Sequence, residues 1–401
     1  MLCVTIQVHR HILSSQCYIR YEDDFNTVDS LRVSCMPSKL SLSLLRGIEI
    51  IREVHITAPT NFFIPSSLST DQIVTVDSGP TLLCPVSQTS SNHWTADLCF
   101  RLQVSNLEKL FRSNIEIPVD VKNFFRERFQ KHKRWDLLCG SCGYTLSEKS
   151  VSFESLKEYS ESELSEGWFC HRTISNPVPQ LSSQVLYMDD VSFYLDHHVF
   201  KSQDHPQEPF VNSNLMNSMK CPDCGILLSV EKTHLSLRRF FFDKLMVTNS
   251  SVNEDPAKYV HEIAILSFWS LVEKSLASSI ICKLFLYNKE KDLCLLLWIP
   301  TKKIGQFQLT GSAEDFPLET CLEMAEVYKV LYFVGDSSSD NVLSWRHDFT
   351  VDYYCVSNTL IKTVVEILRA SSKHSPQAAT SDGFLHGCLL PCNGANKCII
   401  F

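Results

Sequence analysis

Two short stretches of this chain are versions of one pattern, and nothing else in the sequence restricts the fold so strongly. Residues 137–148 read LLCGSCGYTLSE, and residues 219–230 read MKCPDCGILLSV. Aligned on Cys139-Gly-Ser-Cys142 and Cys221-Pro-Asp-Cys224, they share both cysteines, the glycine that follows, and a Leu-Ser pair at the same offset. A CxxC turn brings two sulfurs to one side of an ion, and glycine after the second cysteine permits a tight backbone. Two such turns complete the tetrahedron that zinc prefers, so Cys139, Cys142, Cys221 and Cys224 are the candidate ligands of a structural zinc. The 78 residues between Cys142 and Cys221 are no obstacle, because loop-closure entropy rises only logarithmically with length. A redox pair needs a low-pKa cysteine at a helix N-terminus, whereas strand-like YTLS and ILLS follow these pairs. Unliganded thiols are the third reading.

A chain of 401 residues with 44% hydrophobic content can bury a sizeable core, in one large domain or two. Its net charge of -8 disfavours generic binding to phosphate backbones, so no direct nucleic-acid contact is expected. His9, Arg10 and His11 interrupt the apolar core a signal peptide would need. The longest apolar run, LCLLLWIP at 293–300, is too short to span a bilayer, and no membrane association is expected. Seventeen cysteines, an odd number scattered mostly singly, suit a reducing compartment. The expectation is a soluble protein of the cytoplasm, with the nucleus as a second compartment.

The pattern along the chain predicts an α+β fold: a β-rich N-terminal half, a zinc-knuckle junction and a mixed C-terminal half. Residues 1–120 alternate β-rich runs with Ser, Pro and Asn turns, the pattern of antiparallel sheets. Residues 121–230 hold the paired knuckles around an acidic insertion and polar linkers. In residues 231–370, SLRRFFFDKLMVT suggests a strand, and Asp255-Pro256 opens a helix as cap and first turn. IICKLFLY and LCLLLWIP frame a hairpin turn, LETCLEMAEVYKVLYFV mixes helix and strand signals, and VSNTLIKTVVEILRAS is amphipathic at helical spacing. Residues 371–401 read as an exposed, flexible tail.

Between the knuckles the acidic segment ends in GWFCHR, with Trp168, Cys170 and His171. One reading is a hydrophobic plug with a buried thiol; the other is a recognition element that docks into a partner. At these residues the chain resembles the HECT-like ubiquitin-protein ligases that bind a ubiquitin-conjugating enzyme. The resemblance rests on paired knuckles enclosing an acidic loop that ends in Trp-x-Cys-His, and on the order of elements over residues 120–370. It implies binding of a conjugating enzyme, transfer of ubiquitin to substrates such as a mitotic cyclin, and self-ubiquitination. The loop is also similar to a motif in a protein that engages the metallo-β-lactamase endonuclease of RNA 3′-end processing. That implies an alternative, a non-enzymatic zinc-containing adaptor that binds or inhibits this endonuclease through Trp168, Cys170 and His171.

A HECT ligase carries ubiquitin on an exposed thiolate. The family pattern His-Thr-Cys-Phe finds a partial match in His386-Gly-Cys388, which makes Cys388 the candidate carrier; without one, the protein would borrow the conjugating enzyme's own chemistry. Cys321 and Cys355 read as buried core thiols. The basic and aromatic run KNFFRERFQKHKRW at 122–135 reads as a solvated face of an amphipathic segment or as a stripe for RNA or an acidic partner. SLRRFFFDKL reads as a core strand with charged edges or as an exposed patch, and His197, His198 and His205 read as surface residues.

Overall fold

The computed structural model describes residues 1–9, 13–23, 28–58, 62–69, 73–76, 79–85, 87–88, 94–105, 121–131, 134–159, 185–200, 218–229, 237–249, 255–278, 281–300, 303–312, 319–322, 324–372 and 383–390. Its strand-rich mixture of segregated sheets and helices is the expected α+β class. The chain divides into two compact units, one built from residues 1–117, 297–333 and 367–401, the other from 118–296 and 334–366.

In the first unit the strand Leu2–His9 pairs antiparallel on one side with Ser14–Asp23 and on the other with Ile304–Gly311. Ser14–Asp23 continues to Trp94–Val104. A second sheet runs Glu319–Cys321, Glu49–Thr57, Lys39–Arg46, Ser30–Met36, Gly79–Pro85, Ile73–Val76. Alternation explains how they pack: Leu31, Val33 and Cys35 are buried in Ser30–Met36 while the residues between them are more exposed. Leu2, Val4, Ile6 and Val8 from one sheet and Leu31, Val33, Leu40, Leu42, Val54 and Ile56 from the other form one apolar cluster. Burial of these β-branched and leucine side chains, about 1.5–3 kcal/mol each, drives the pairing of the two sheets.

Two sequence expectations differ here. Cys321 is exposed, a correction to its reading as a core thiol: it ends an edge strand whose outward side it occupies, in register with Thr57. Cys355, in the other unit, is half-buried. Within the segment read as a tail, Leu385–Leu389 is a strand paired antiparallel with Ala325–Gly335, and the pairing buries Cys388 and Leu389.

In the second unit the helix Pro256–Ser278 opens as the sequence predicts, with Asp255 Oδ1 accepting the Ala257 N–H at 3.2 Å and Pro256 in the first turn. Phe268, Trp269 and Leu271 are buried in it, so this is a core helix. Around it stand the four-stranded sheet Ser155–Glu158, Val185–Met188, Ser192–Asp196, Leu237–Phe241 and the pair Asp136–Cys139 with Leu245–Thr248. Phe240 and Phe242 are buried while Arg238 and Arg239 are partly covered, the core-strand reading of SLRRFFFDKL. The helix Val121–Lys131 inserts Val121 and Phe125 into the same core, where the Phe125 ring lies 4.7 Å from that of Phe193.

The basic face of that helix is largely engaged within the protein. Lys122 Nζ lies 3.1 Å from Asp190 Oδ1 and 3.2 Å from Glu158, and Arg126 pairs with Glu158. Lys274 Nζ, from the long helix, reaches Asp190 Oδ2 at 2.6 Å. Against the desolvation it suffers, the two ammonium groups hold the Asp190 carboxyl below its usual range. Because the folded value is depressed, this contribution is complete above the unfolded carboxylate's pKa and is lost as pH falls through the folded value. Asp190→Asn is therefore expected to destabilise this unit by about 1–3 kcal/mol at pH 7, less than a fully buried pair would lose because Lys274 is half exposed. Urea unfolding at pH 7 and again below pH 3 checks this, with the gap from wild type closing at acid pH.

Candidate metal centre

Each CxxCG stretch folds into the same turn. The Cys139 carbonyl accepts the Gly143 N–H at 2.9 Å and the Cys139 N–H donates to the Tyr144 carbonyl at 2.8 Å. At the second site the Cys221 carbonyl accepts the Gly225 N–H at 3.0 Å and the Cys221 N–H donates to Ile226 at 2.9 Å. Both glycines are left-handed, φ +73° for Gly143 and +70° for Gly225, which is why the pattern demands glycine there. The shared Leu-Ser pair is explained as well. Leu146 and Leu228 are each 2% exposed, Ser147 and Ser229 are buried beside them, and Ser147 Oγ accepts the Leu137 N–H at 3.4 Å.

Packing brings the two turns face to face. Cys139 ends the strand Asp136–Cys139, fixed by its pairing with Leu245–Thr248, and Cys221 follows the short strand Met219–Lys220, paired with Leu227–Ser229. Both cysteines belong to the apolar core of the unit, with Trp135, Leu137, Phe242 and Leu245, whereas Cys142 and Cys224 are exposed. All four sulfurs lie within 4.8 Å of one another. Cys139 Sγ is 3.8 Å from Cys224 Sγ, and Cys142 Sγ is 3.6 Å from Cys221 Sγ. Four sulfurs about 2.3 Å from a central ion stand about 3.8 Å apart on a tetrahedron, so these separations fit a thiolate-bound metal. They are far beyond the roughly 2.05 Å of a disulfide.

The electrostatics fit the same donor set. Burial pushes the Cys139 thiol up, while the Cys224 thiol, despite its own desolvation, is drawn down by the Ile226 N–H and by the neighbouring thiols. Unequal thiols in contact share protons that a divalent cation would displace. The residue types and distances therefore provide a site that could hold a metal ion, with four protein ligands and no open position.

One contact behind the first turn was not legible in the sequence. Gly140 lies against the hairpin turn at Asp243 and donates its N–H to the Lys244 carbonyl at 3.0 Å; a Cβ there would stand 2.1 Å from the Asp243 carbonyl oxygen. The only sequence signal was glycine at an inner position of the turn, which the second copy fills with Pro222. Asp243 itself is buried, which raises its pKa, and receives hydrogen bonds from Ser357 and Thr359. This ties the turn to the start of the helix Asn358–Ser372.

The other candidate residues lie elsewhere. Cys388, on the strand Leu385–Leu389, is 2% exposed in the first unit. Its N–H donates to Ser371 Oγ at 2.9 Å and its thiol to Gln306 Oε1 at 2.9 Å. Burial pushes the thiol up to about 12, against the pull of the Lys329 cation. Trp168, Cys170 and His171 lie outside the described residues, as does His205; His198 is exposed. Among the described residues no helix is long and apolar enough to cross a membrane.

Residues 9–381 match the family model described as HECT-like ubiquitin-conjugating enzyme (E2)-binding. The chain belongs to this family. Membership covers nearly the whole chain and carries with it binding of a ubiquitin-conjugating enzyme and a role in the ubiquitin pathway. No curated protein and no solved structure matches the chain.

Proposed function

We propose that this E2-binding protein is a ubiquitin-protein ligase of the cytoplasm, and also of the nucleus, that directs ubiquitin from a recruited conjugating enzyme to substrates such as a mitotic cyclin and to itself. Family membership over residues 9–381 is the observation that carries the reading. The metal bound by Cys139, Cys142, Cys221 and Cys224 is zinc, in a structural role: four thiolates leave no coordination position for water or substrate. When bound, it supplies a cross-link between two distant parts of the chain. The acidic segment that ends in Trp168, Cys170 and His171 is a partner-binding element.

Transfer proceeds from the conjugating enzyme's thioester to a substrate lysine without a stop on Cys388. A carrier cysteine must reach that thioester as a thiolate. A thiol titrating near 12 is ionised in on the order of one molecule in 10⁵ at pH 7, and this one sits inside a paired strand. For Cys388 to serve as the carrier, the strand Leu385–Leu389 would first have to leave its sheet.

A charging assay with activating enzyme, a panel of conjugating enzymes and ubiquitin, run on non-reducing gels, tests this. Lysine-linked products are expected from wild type and in unchanged yield from Cys388→Ser. A thiol-sensitive ubiquitin adduct that disappears in Cys388→Ser would restore Cys388 as the carrier. No products with any enzyme of the panel would favour the adaptor that binds an RNA 3′-end-processing endonuclease through Trp168, Cys170 and His171.

A further inference from the structure

The strand Leu385–Leu389 is fastened along its two edges by different means. On one side it pairs with residues 328–332 of Ala325–Gly335, with Cys388 opposite Lys329 and His386 opposite Leu331. On the other side its main chain meets two consecutive serines at the end of the helix Asn358–Ser372. The Cys388 N–H donates to Ser371 Oγ at 2.9 Å, and the Ser372 hydroxyl donates to the His386 carbonyl. Gly387 lies flush against this helix end, where a Cβ would stand 3.0 Å from Leu368 Cδ2 and 3.3 Å from both Ser371 Oγ and Tyr332 Cε1. The Tyr332 hydroxyl completes the junction, 3.1 Å from Ser372 Oγ. All of these residues belong to the first unit.

Two features make this fastening easy to undo. Ser372 has one hydroxyl proton and two acceptors in reach, the His386 carbonyl and, at 2.6 Å, the Leu368 carbonyl of its own helix, so its proton keeps a partner when the strand leaves. Beneath the strand, moreover, the contacts are largely polar. The Cys388 thiol donates to Gln306 Oε1 at 2.9 Å and lies 4.0 Å from Gln7 Nε2, with both glutamines buried. Gln7 Oε1 is buried with no hydrogen-bond partner among the described residues. Half-buried Lys329 faces the neutral thiol, and among the described residues no carboxylate is paired with it. Water would satisfy both groups once the strand lifts, which offsets part of the lost pairing. The apolar contact is small: Cys388 shares a buried cluster with Ile304 and Val327, and of the strand's two leucines Leu389 is buried while Leu385 is 45% exposed.

We infer that Leu385–Leu389 is a strap that opens while the rest of its unit stays folded, with the Ser372 hydroxyl as its clasp, and that opening turns Cys388 from a core thiol into an accessible one. Folded proteins open locally at their least stable elements, and an edge strand of five residues over polar groups is such an element. The same opening uncovers Cys388 whether or not this protein transfers ubiquitin.

The test is a brief pulse of iodoacetamide on freshly reduced, full-length protein, with peptide mass spectrometry to read each cysteine. In the labelling step the thiol sulfur displaces iodide and its proton goes to the buffer. Cys17, fully buried in the main core of the same unit, reports unfolding. Cys388 is expected to react about tenfold or more faster than Cys17 in wild type, as a local opening requires. Ser372→Ala removes roughly one hydrogen bond from the closed strap, so Cys388 should react about fivefold faster while Cys17 and the melting temperature stay as in wild type. Ser372→Thr restores the hydroxyl and should return Cys388 to within about twofold of the wild-type rate. Equal rates for Cys388 and Cys17 in wild type would mean that the strand leaves only when the whole unit unfolds, which overturns the strap. An unchanged Cys388 rate in Ser372→Ala, or an equal acceleration of Cys17, overturns the clasp.

Discussion

Cys221→Ser is expected to abolish metal binding and to lower the melting temperature of the unit that contains it by about 8–16 °C. Wild-type protein purified under reducing conditions should carry one zinc per chain. In small zinc-dependent peptides the ion contributes about 10–16 kcal/mol of apparent folding free energy. Here part of the unit has a core of its own, with Phe125, Phe193, Phe240 and Phe242 buried together, so the variant loses less than that. A loss of about 4 kcal/mol corresponds to roughly 8–16 °C for a unit of this size. The cost arises because the ion ties Cys139 and Cys221, buried in the core, to their exposed partners Cys142 and Cys224: without it, the two turns keep their core packing but only weak thiol contacts join the four sulfurs. A strong chelator should reproduce the shift in wild type and do nothing further to Cys221→Ser. Metal-free wild type that melts like metal-loaded wild type would mean that four thiols suffice and that the ion has no structural role.

The metal centre was legible because its chemistry is local. Spacing, glycine and the Leu-Ser echo are properties of two nine-residue stretches, and each folds into the turn that its own sequence specifies. The helix at Asp255-Pro256 was legible for the same reason, a cap and a proline at adjacent positions. The segment from Ser371 was harder because what orders Leu385–Leu389 is a partner strand at Ala325–Gly335, some sixty residues earlier, which no local pattern announces. Cys388 belongs to that case. His386-Gly-Cys388 resembles a carrier motif in sequence, but reactivity depends on burial and on the Gln306 contact, both supplied by distant strands. Cys321 was misread in the opposite direction, as its short strand is an edge whose exposed side is set by pairing with Glu49–Thr57.

The second large effect is expected from a single methyl group. Gly140, Gly143 and Gly225 all lie in the two turns, yet alanine should cost very different amounts at each. At Gly225, φ is +70° and a Cβ meets nothing within 4 Å, so alanine incurs only the left-handed penalty of about 1–2 kcal/mol. Gly143 adds a 3.3 Å approach to Pro256 Cγ, tight but against a ring edge that can shift by a few tenths of an ångström. Gly140 has no left-handed backbone to maintain, and there the obstacle is space. Its Cβ would fall 2.1 Å from the Asp243 carbonyl oxygen and 3.0 Å from the Asp243 carbonyl carbon, main-chain atoms that cannot rotate aside. Relief requires the two backbones to separate by more than an ångström, which breaks the Gly140 N–H bond to Lys244 and strains the pairing of Cys139 with Leu245. Overpacking commonly costs 1–3 kcal/mol, and with a hydrogen bond lost besides, Gly140→Ala should cost about 3 kcal/mol or more. The same displacement moves Cys139 and Cys142 away from Cys221 and Cys224, so zinc affinity should fall along with stability. Melting temperatures and competitive zinc titrations of the three alanine variants should both rank Gly140 as most damaging and Gly225 as least. Equal losses at all three would show that backbone conformation, and not the approach of the first turn to Asp243, sets the geometry of the four sulfurs.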